Sequence, residues 1–167
     1  MKYTSLTIIY KFFHPKVKYE HIPYWWKRSL LEQVWHSIRK FICQNVAPNC
    51  ITNFMRINIY RLCGFKIGKG CFIGMKCYFD DLCVEKVTIG NHVTISYGVY
   101  FTCHGPMQWH RKLDIKDGAY IGMRASIVAS KDMIIGENSI VGAMCLVNKN
   151  VPAGKTVVGV PCRIIEK

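Results

Sequence analysis

The sequence predicts an all-β core, a solenoid of short parallel strands wound as a triangular prism. Three observations carry this prediction. Apolar residues recur at strict steps of six, glycine follows them at half of the positions, and every break in spacing falls at the same point of the pattern. From residue 67 the chain divides into hexads headed by Ile67, Ile73 and Phe79, then by Ile89, Ile95 and Phe101. Ile115, Ile121 and Ile127 follow, and Ile135, Val141 and Val147 complete the series. A helical period of 3.6 cannot keep every sixth residue on one face, and simple alternation has no use for the glycines. Short straight segments joined by sharp bends have a use for both. Three segments make one coil, and coils stacked at about 4.8 Å through parallel strand hydrogen bonds make the prism.

Each hexad has its own logic. The leading Ile, Val or Phe points inward. Glycine follows it as Gly68, Gly74, Gly90, Gly122, Gly136 and Gly142. The fifth position is small or β-branched, from Cys71, Cys77 and Cys83 to Cys145 and Val151, and suits the crowded interior of a corner. The six-residue interval of the first three cysteines therefore belongs to the scaffold. Neighbouring corners are too far apart to share a zinc ion or form a disulfide. Between trios the step lengthens to ten, fourteen and eight residues, always after the third hexad. All insertions thus leave one edge of the prism, and stacked loops on one edge can wall a site. The longest, the extruded loop 102–114, contains TCHGPMQWHRKLD.

Residues 1–66 are expected to form a basic, mainly helical N-terminal appendage. They carry eleven Lys/Arg against two acids, whereas residues 67–167 carry twelve against eight. Residues 26–44 show apolar positions at helical spacing (Leu30, Leu31, Val34, Ile38, Phe41, Ile42), with Lys27, Arg28, Arg39 and Lys40 on other faces. A second helix is expected from about Thr52 to Cys63, stopped by Gly64. The expected role is an α-helical cap on the open end of the solenoid, with contact at an anionic membrane surface as the sharper alternative. No run of about 18 apolar residues is present, so no spanning helix is predicted. The first residues make a poor signal peptide. Nine cysteines point to reduced thiols and a cytoplasmic setting, peripheral at the inner membrane surface on the sharper reading. No nucleic-acid partner is expected.

Residues 67–165 resemble the left-handed β-helix acyltransferases with hexapeptide repeats, and within them the galactoside, maltose and surface-polysaccharide O-acetyltransferase branch. The matching stretches are VTIGNHVTISYGVYFTCH (87–104), IGENSIVGAMCLVNKNVPAG (135–154) and GVPCRII (159–165). The resemblance implies a left-handed parallel β-helix of about four to five coils. It also implies acetyl-CoA as co-substrate, and a homotrimer with active sites between subunits. The acceptor it implies is a hydroxyl of a sugar or surface-polysaccharide precursor. No metal is expected.

Acetyl transfer from a thioester to a hydroxyl needs a base, and histidine, with an ordinary pKa near 6.5, is mostly neutral at physiological pH. The family places that base where the long loop leaves the coil, which here is His104. The resemblance puts Gly142 and Ala143 against the pantetheine or thioester, and Lys149 and Arg163 against the CoA phosphates, with Lys155 a further candidate cation beside them. Relatives often carry Trp and Ser where this chain has Tyr120 and Met123, which removes two cofactor contacts from the carry-over. Asp80 and Asp81 lie in the first insertion, on the same edge one coil below His104, either as carboxylates for sugar hydroxyls or as turn residues. Trp109 and His110 share the long loop and are further candidates for acceptor contact. Two other readings are a zinc hydratase-type prism using His92, His104 and His110, and a non-catalytic scaffold.

Overall fold

The computed structural model describes residues 4–105 and 109–165. It divides into two compact units, one up to Phe41 and one from Ile42 onward. The first unit contains helix α1 (Ser5–Phe13) and helix α2 (Leu30–Phe41). α1 begins at Thr4, whose side chain accepts from the Thr7 N–H. α2 opens on a capping box. The Ser29 N–H donates to Glu32 Oε2 at 2.8 Å and the Glu32 N–H donates back to Ser29 Oγ at 3.2 Å. The helix expected over 26–44 is therefore shorter, starting after Ser29 and giving way to a π-helical turn at Ile42–Val46.

The second unit is the prism. Its first face stacks Lys66–Ile67, Val87–Ile89, Leu113–Ile115 and Met133–Ile135 as parallel strands, in chain order. The second face stacks Phe72–Ile73, Thr94–Ile95, Tyr120–Ile121, Ile140–Val141 and Thr156–Val158. The third stacks Tyr100–Thr102, Ser126–Val128 and Leu146–Val147, with Tyr78 bridged to Tyr100 below them. The register is the hexad pattern. Ile67, Ile89, Ile115 and Ile135 pair in one column, and Phe101, Ile127 and Val147 in another. This is the parallel β-helix of hexapeptide repeats that the spacing predicted. Val151 also bridges to Ile135, so it opens a fifth coil besides filling a fifth position.

Corners explain the remaining sequence rules. The fourth hexad position turns with positive φ, at Gly70, Lys76, His92, Gly98, Gly118, Arg124, Asn138 and Met144. His92 is therefore an exposed corner residue. Where glycine holds the second position, the reason is different. A Cβ on Gly68 would lie 2.4 Å from the Gly90 carbonyl oxygen of the next coil, because stacked turns bring backbone against backbone. The cysteine corners are buried, and the Cys71 and Cys77 thiols donate to the Gly90 and Ser96 carbonyls of the coil above. All nine cysteines are free thiols.

Helix α3 (Asn53–Leu62) covers the first coil, packing on the strands at 66–67 and 72–73. Its polar side chains replace a missing lower coil. Asn53 Nδ2 donates to the Cys71 carbonyl and its Oδ1 accepts from the Ile73 N–H. Arg56, buried, donates to the Ile73 carbonyl, and Arg61 donates to the carbonyls of Ile67 and Gly68. Tyr60 fills the end of the core against Phe65 and Phe79. At the other end, Arg163–Ile165 folds back antiparallel on Thr156–Val158.

Two glycines separate the two corner constraints. Gly68→Ala meets backbone, whereas Gly154→Ala keeps a φ of +67° but meets nothing within 4 Å. Urea unfolding should show Gly68→Ala losing about 2–3 kcal/mol of stability and Gly154→Ala only about 1 kcal/mol. Equal losses would mean that φ alone sets the glycine requirement.

Candidate active site

Two insertions meet on the third edge. The first leaves the coil after Phe79 as a 3-10 helical turn, Asp81–Lys86, capped by Asp80, whose Oδ1 accepts from the Leu82 N–H at 3.2 Å. The second leaves one coil higher, after Thr102, and returns at Leu113. Phe79 and Phe101 stack in the core beneath them, rings 4.7 Å apart and nearly parallel. That column places Asp80 directly under the start of the long loop.

Asp80 Oδ2 accepts from the Cys103 N–H at 2.8 Å and lies 2.6 Å from His104 Nδ1. Asp80 is fully buried, while the His104 side chain is 36% exposed. The Cys83 thiol lies against the same carboxylate, and burial first, then the Asp80 charge, pushes its pKa well up. The Cys103 thiol is pushed up to about 12, again by burial and then by Asp80. A carboxylate only accepts, so the contact to Asp80 suits a neutral imidazole that donates its Nδ1–H and keeps its lone pair on Nε2.

The long loop is a narrow hairpin at its base. His104 and His110 form an antiparallel bridge, and the Arg111 N–H donates to the Cys103 carbonyl at 2.8 Å. Trp109 packs over Gly105, where an added Cβ would fall 2.0 Å from a ring carbon. The Arg111 guanidinium covers the indole, 4.9 Å from its centre. Arg111, not singled out from the sequence, has a buried Nε without a hydrogen-bond partner among the described residues. Residues 106–108 of the loop lie outside the described residues.

The expected site residues thus fall into groups. Asp80 and His104 come together, but as partners of each other. Asp80 and Asp81, carboxylates for sugar hydroxyls on one reading and turn residues on the other, are both buried. Asp81 accepts from Gln44 Nε2 at 2.7 Å. Trp109 packs inside the hairpin, and His110 braces its base. The Gly142 N–H, expected near the thioester, already donates to the Val157 carbonyl, whereas Ala143 is exposed at the adjoining corner. Lys149, Lys155 and Arg163 are all exposed, and Lys149 follows the third-face strand two coils above His104, about 10 Å along the stack. Among the described residues, the group with metal-ligand spacing is Asp80, Cys83 and His104, without His92 or His110. A thiol held protonated by its surroundings is a poor ligand there.

Solved structures share this architecture. A hexapeptide-repeat acetyltransferase from Vibrio cholerae superposes with a TM-score of 0.68 at 22% identity, covering 83% of this chain and 93% of that one. It has also been solved with acetyl coenzyme A, with 83% and 90% covered at the same TM-score. This chain has the hexapeptide-repeat acetyltransferase fold. A maltose O-acetyltransferase from Clostridium difficile 630 shares it at a TM-score of 0.67 and 23% identity, with 83% and 89% covered. No family model matches the sequence. Among curated proteins, serine acetyltransferase of Bacillus subtilis (strain 168) is 35% identical over 106 residues, covering 61% of this chain and 48% of that one. Serine acetyltransferase of Staphylococcus aureus (strain Mu50) is 30% identical over 144 residues, covering 85% and 63%. The chain spans about half to three-fifths of the length of these curated relatives.

The histidine tautomer is directly measurable. Nitrogen-15 NMR of the neutral ring should find the His104 proton on Nδ1, with that preference lost in Asp80→Ala. A proton mainly on Nε2 in the unmodified protein would contradict the geometry.

Proposed function

We propose that this chain transfers the acetyl group of acetyl-CoA to a hydroxyl of a sugar or surface-polysaccharide precursor, with His104 as general base. The observation that carries the reading is the buried Asp80 carboxylate 2.6 Å from His104 Nδ1, at the foot of the longest loop. His104 Nε2 takes the acceptor's hydroxyl proton as its oxygen attacks the thioester carbonyl. The tetrahedral oxyanion collapses, the C–S bond breaks, and the imidazolium returns the proton to the departing CoA thiolate. Asp80 is a positioning residue. It fixes the ring orientation and favours the imidazolium that forms. The Ala143 backbone amide is the candidate donor to the oxyanion, since the Gly142 amide is used inside the coil.

Lys149, Lys155 and Arg163 are the candidate cations for the CoA phosphates, all exposed on the later coils. We place the site between subunits of a cytoplasmic homotrimer. The outward column of the second face, Phe72, Thr94, Tyr120, Ile140, Thr156 and Ile165, carries exposed apolar side chains at four of its six positions, suited to burial against another copy. A second acceptor, serine, is favoured by Arg111. Its guanidinium stands in the site loop, a cation of the kind that pairs with an acceptor carboxylate, and the first curated relatives are serine acetyltransferases.

The test is thiol release from acetyl-CoA by the purified chain, with galactosides, maltose and L-serine as acceptors. Acceptor-dependent release should appear, and His104→Ala should lower it by about 10²- to 10⁴-fold. Release unaffected by His104→Ala, or none with any acceptor, would overturn the assignment, and the second result would favour a scaffold role.

A further inference from the structure

The first unit leaves many large apolar side chains exposed. In α2, Leu30, Leu31, Val34, Trp35, Ile38 and Phe41 are all exposed, and no residue of the helix is buried. At 100° per residue these six fall within an arc of about 140°, and Glu32, Gln33, His36, Ser37, Arg39 and Lys40 fill the rest. α1 repeats the arrangement. Its inner side is fixed by Thr7, fully buried, which donates to the Trp26 carbonyl, and by Tyr10 against the Trp26 ring. Its other side presents Ile8, Ile9, Phe12 and Phe13 to solvent, Phe12 being 81% exposed. Folding within the unit has thus satisfied one face of α1 and left both apolar arcs open.

Charge selects what covers them. Residues 1–41 carry eight Lys/Arg against two Glu, and the whole chain has a net charge of +13. A second copy of this unit would bring like charge against like charge, whereas an anionic surface is attracted. We infer that the N-terminal unit docks on an anionic lipid bilayer, with the apolar arcs of α1 and α2 entering the headgroup region and the Lys/Arg side chains meeting lipid phosphates. Several features fit that occupant. α2 has a wide apolar arc, a polar face with cations, and Trp35 at the boundary between them, the position an amphipathic ring takes at a bilayer interface. No helix among the described residues is long and apolar enough to cross a membrane, so these helices would lie in the interface plane. The proposal stands apart from the acetyl-transfer reading, because none of these residues belongs to the site around His104.

The experiment is flotation of the full chain with phosphatidylglycerol-containing vesicles and with pure phosphatidylcholine vesicles. The protein should float with the anionic vesicles, bind the neutral ones far more weakly, and lose binding as salt rises. Phe12→Asp/Leu31→Asp should abolish flotation without changing thiol release in solution, both side chains being more than four-fifths exposed. Lys16→Glu/Lys40→Glu should lower partitioning at least about tenfold. Trp fluorescence of the unmodified protein should shift to the blue on adding anionic vesicles, a readout that depends on no variant. Absence of flotation and of the blue shift with anionic vesicles would overturn the inference. So would equal binding to neutral vesicles, or a Phe12→Asp/Leu31→Asp variant that still floats but falls apart into smaller oligomers.

Discussion

The structure depends on the stacking of each coil on the one beneath it in strict register. Parallel strands hydrogen-bond at a fixed spacing, so an inward isoleucine is satisfied only if the next coil places another apolar side chain at the same point. Turns then fall above turns. At Gly68 and Gly74 an added Cβ would meet the backbone of the next coil, so glycine is required there. Extra residues have no place in the wall and must leave at an edge. Because the insertions share one edge, Asp80 and His104 meet although 24 residues separate them in the chain.

A solenoid built this way has two open ends, and this chain closes them differently. At the start, the side chains of Asn53, Arg56 and Arg61 supply the donors and acceptors that another coil would have supplied. At the finish, an antiparallel return strand pairs with the last rung. The helical cap covers the first ladder edge, whereas the return strand becomes the new edge of its sheet. The cap also bears on the site, since Gln44, just ahead of α3, holds Asp81 next to the catalytic candidate.

The prism was legible because its signal repeats. Twelve apolar positions at one interval outweigh any local ambiguity, and the insertions could be assigned to one edge from spacing alone. The Asp80–His104 pair was half legible. Spacing put both residues on that edge one coil apart, but aspartate is also a common turn residue, and only the fold shows it capping a turn with one oxygen and holding the imidazole with the other. The start of α2 was present as Ser29-x-x-Glu32, a capping-box pattern overshadowed by the apolar periodicity around it. The cap's side-chain pairing could not be seen, because asparagine and arginine on a helix read as solvent-facing until the open coil edge is in place. Acceptor identity stays illegible for a related reason. It is set by loop contacts such as that of Arg111 on Trp109, which follow no period.

The pairing of a buried carboxylate with a half-exposed histidine is the centre of the functional account, and kinetic coupling between the two tests it most directly. With acetyl-CoA and the best acceptor, kcat would be measured for the unmodified chain, Asp80→Asn, His104→Ala and the double variant. The account predicts that Asp80→Asn costs about 10²-fold or more when His104 is present. In the His104→Ala background it should cost less than about twofold, because the carboxylate acts through the ring. Independent, multiplying losses would contradict the account and leave Asp80 a merely structural cap.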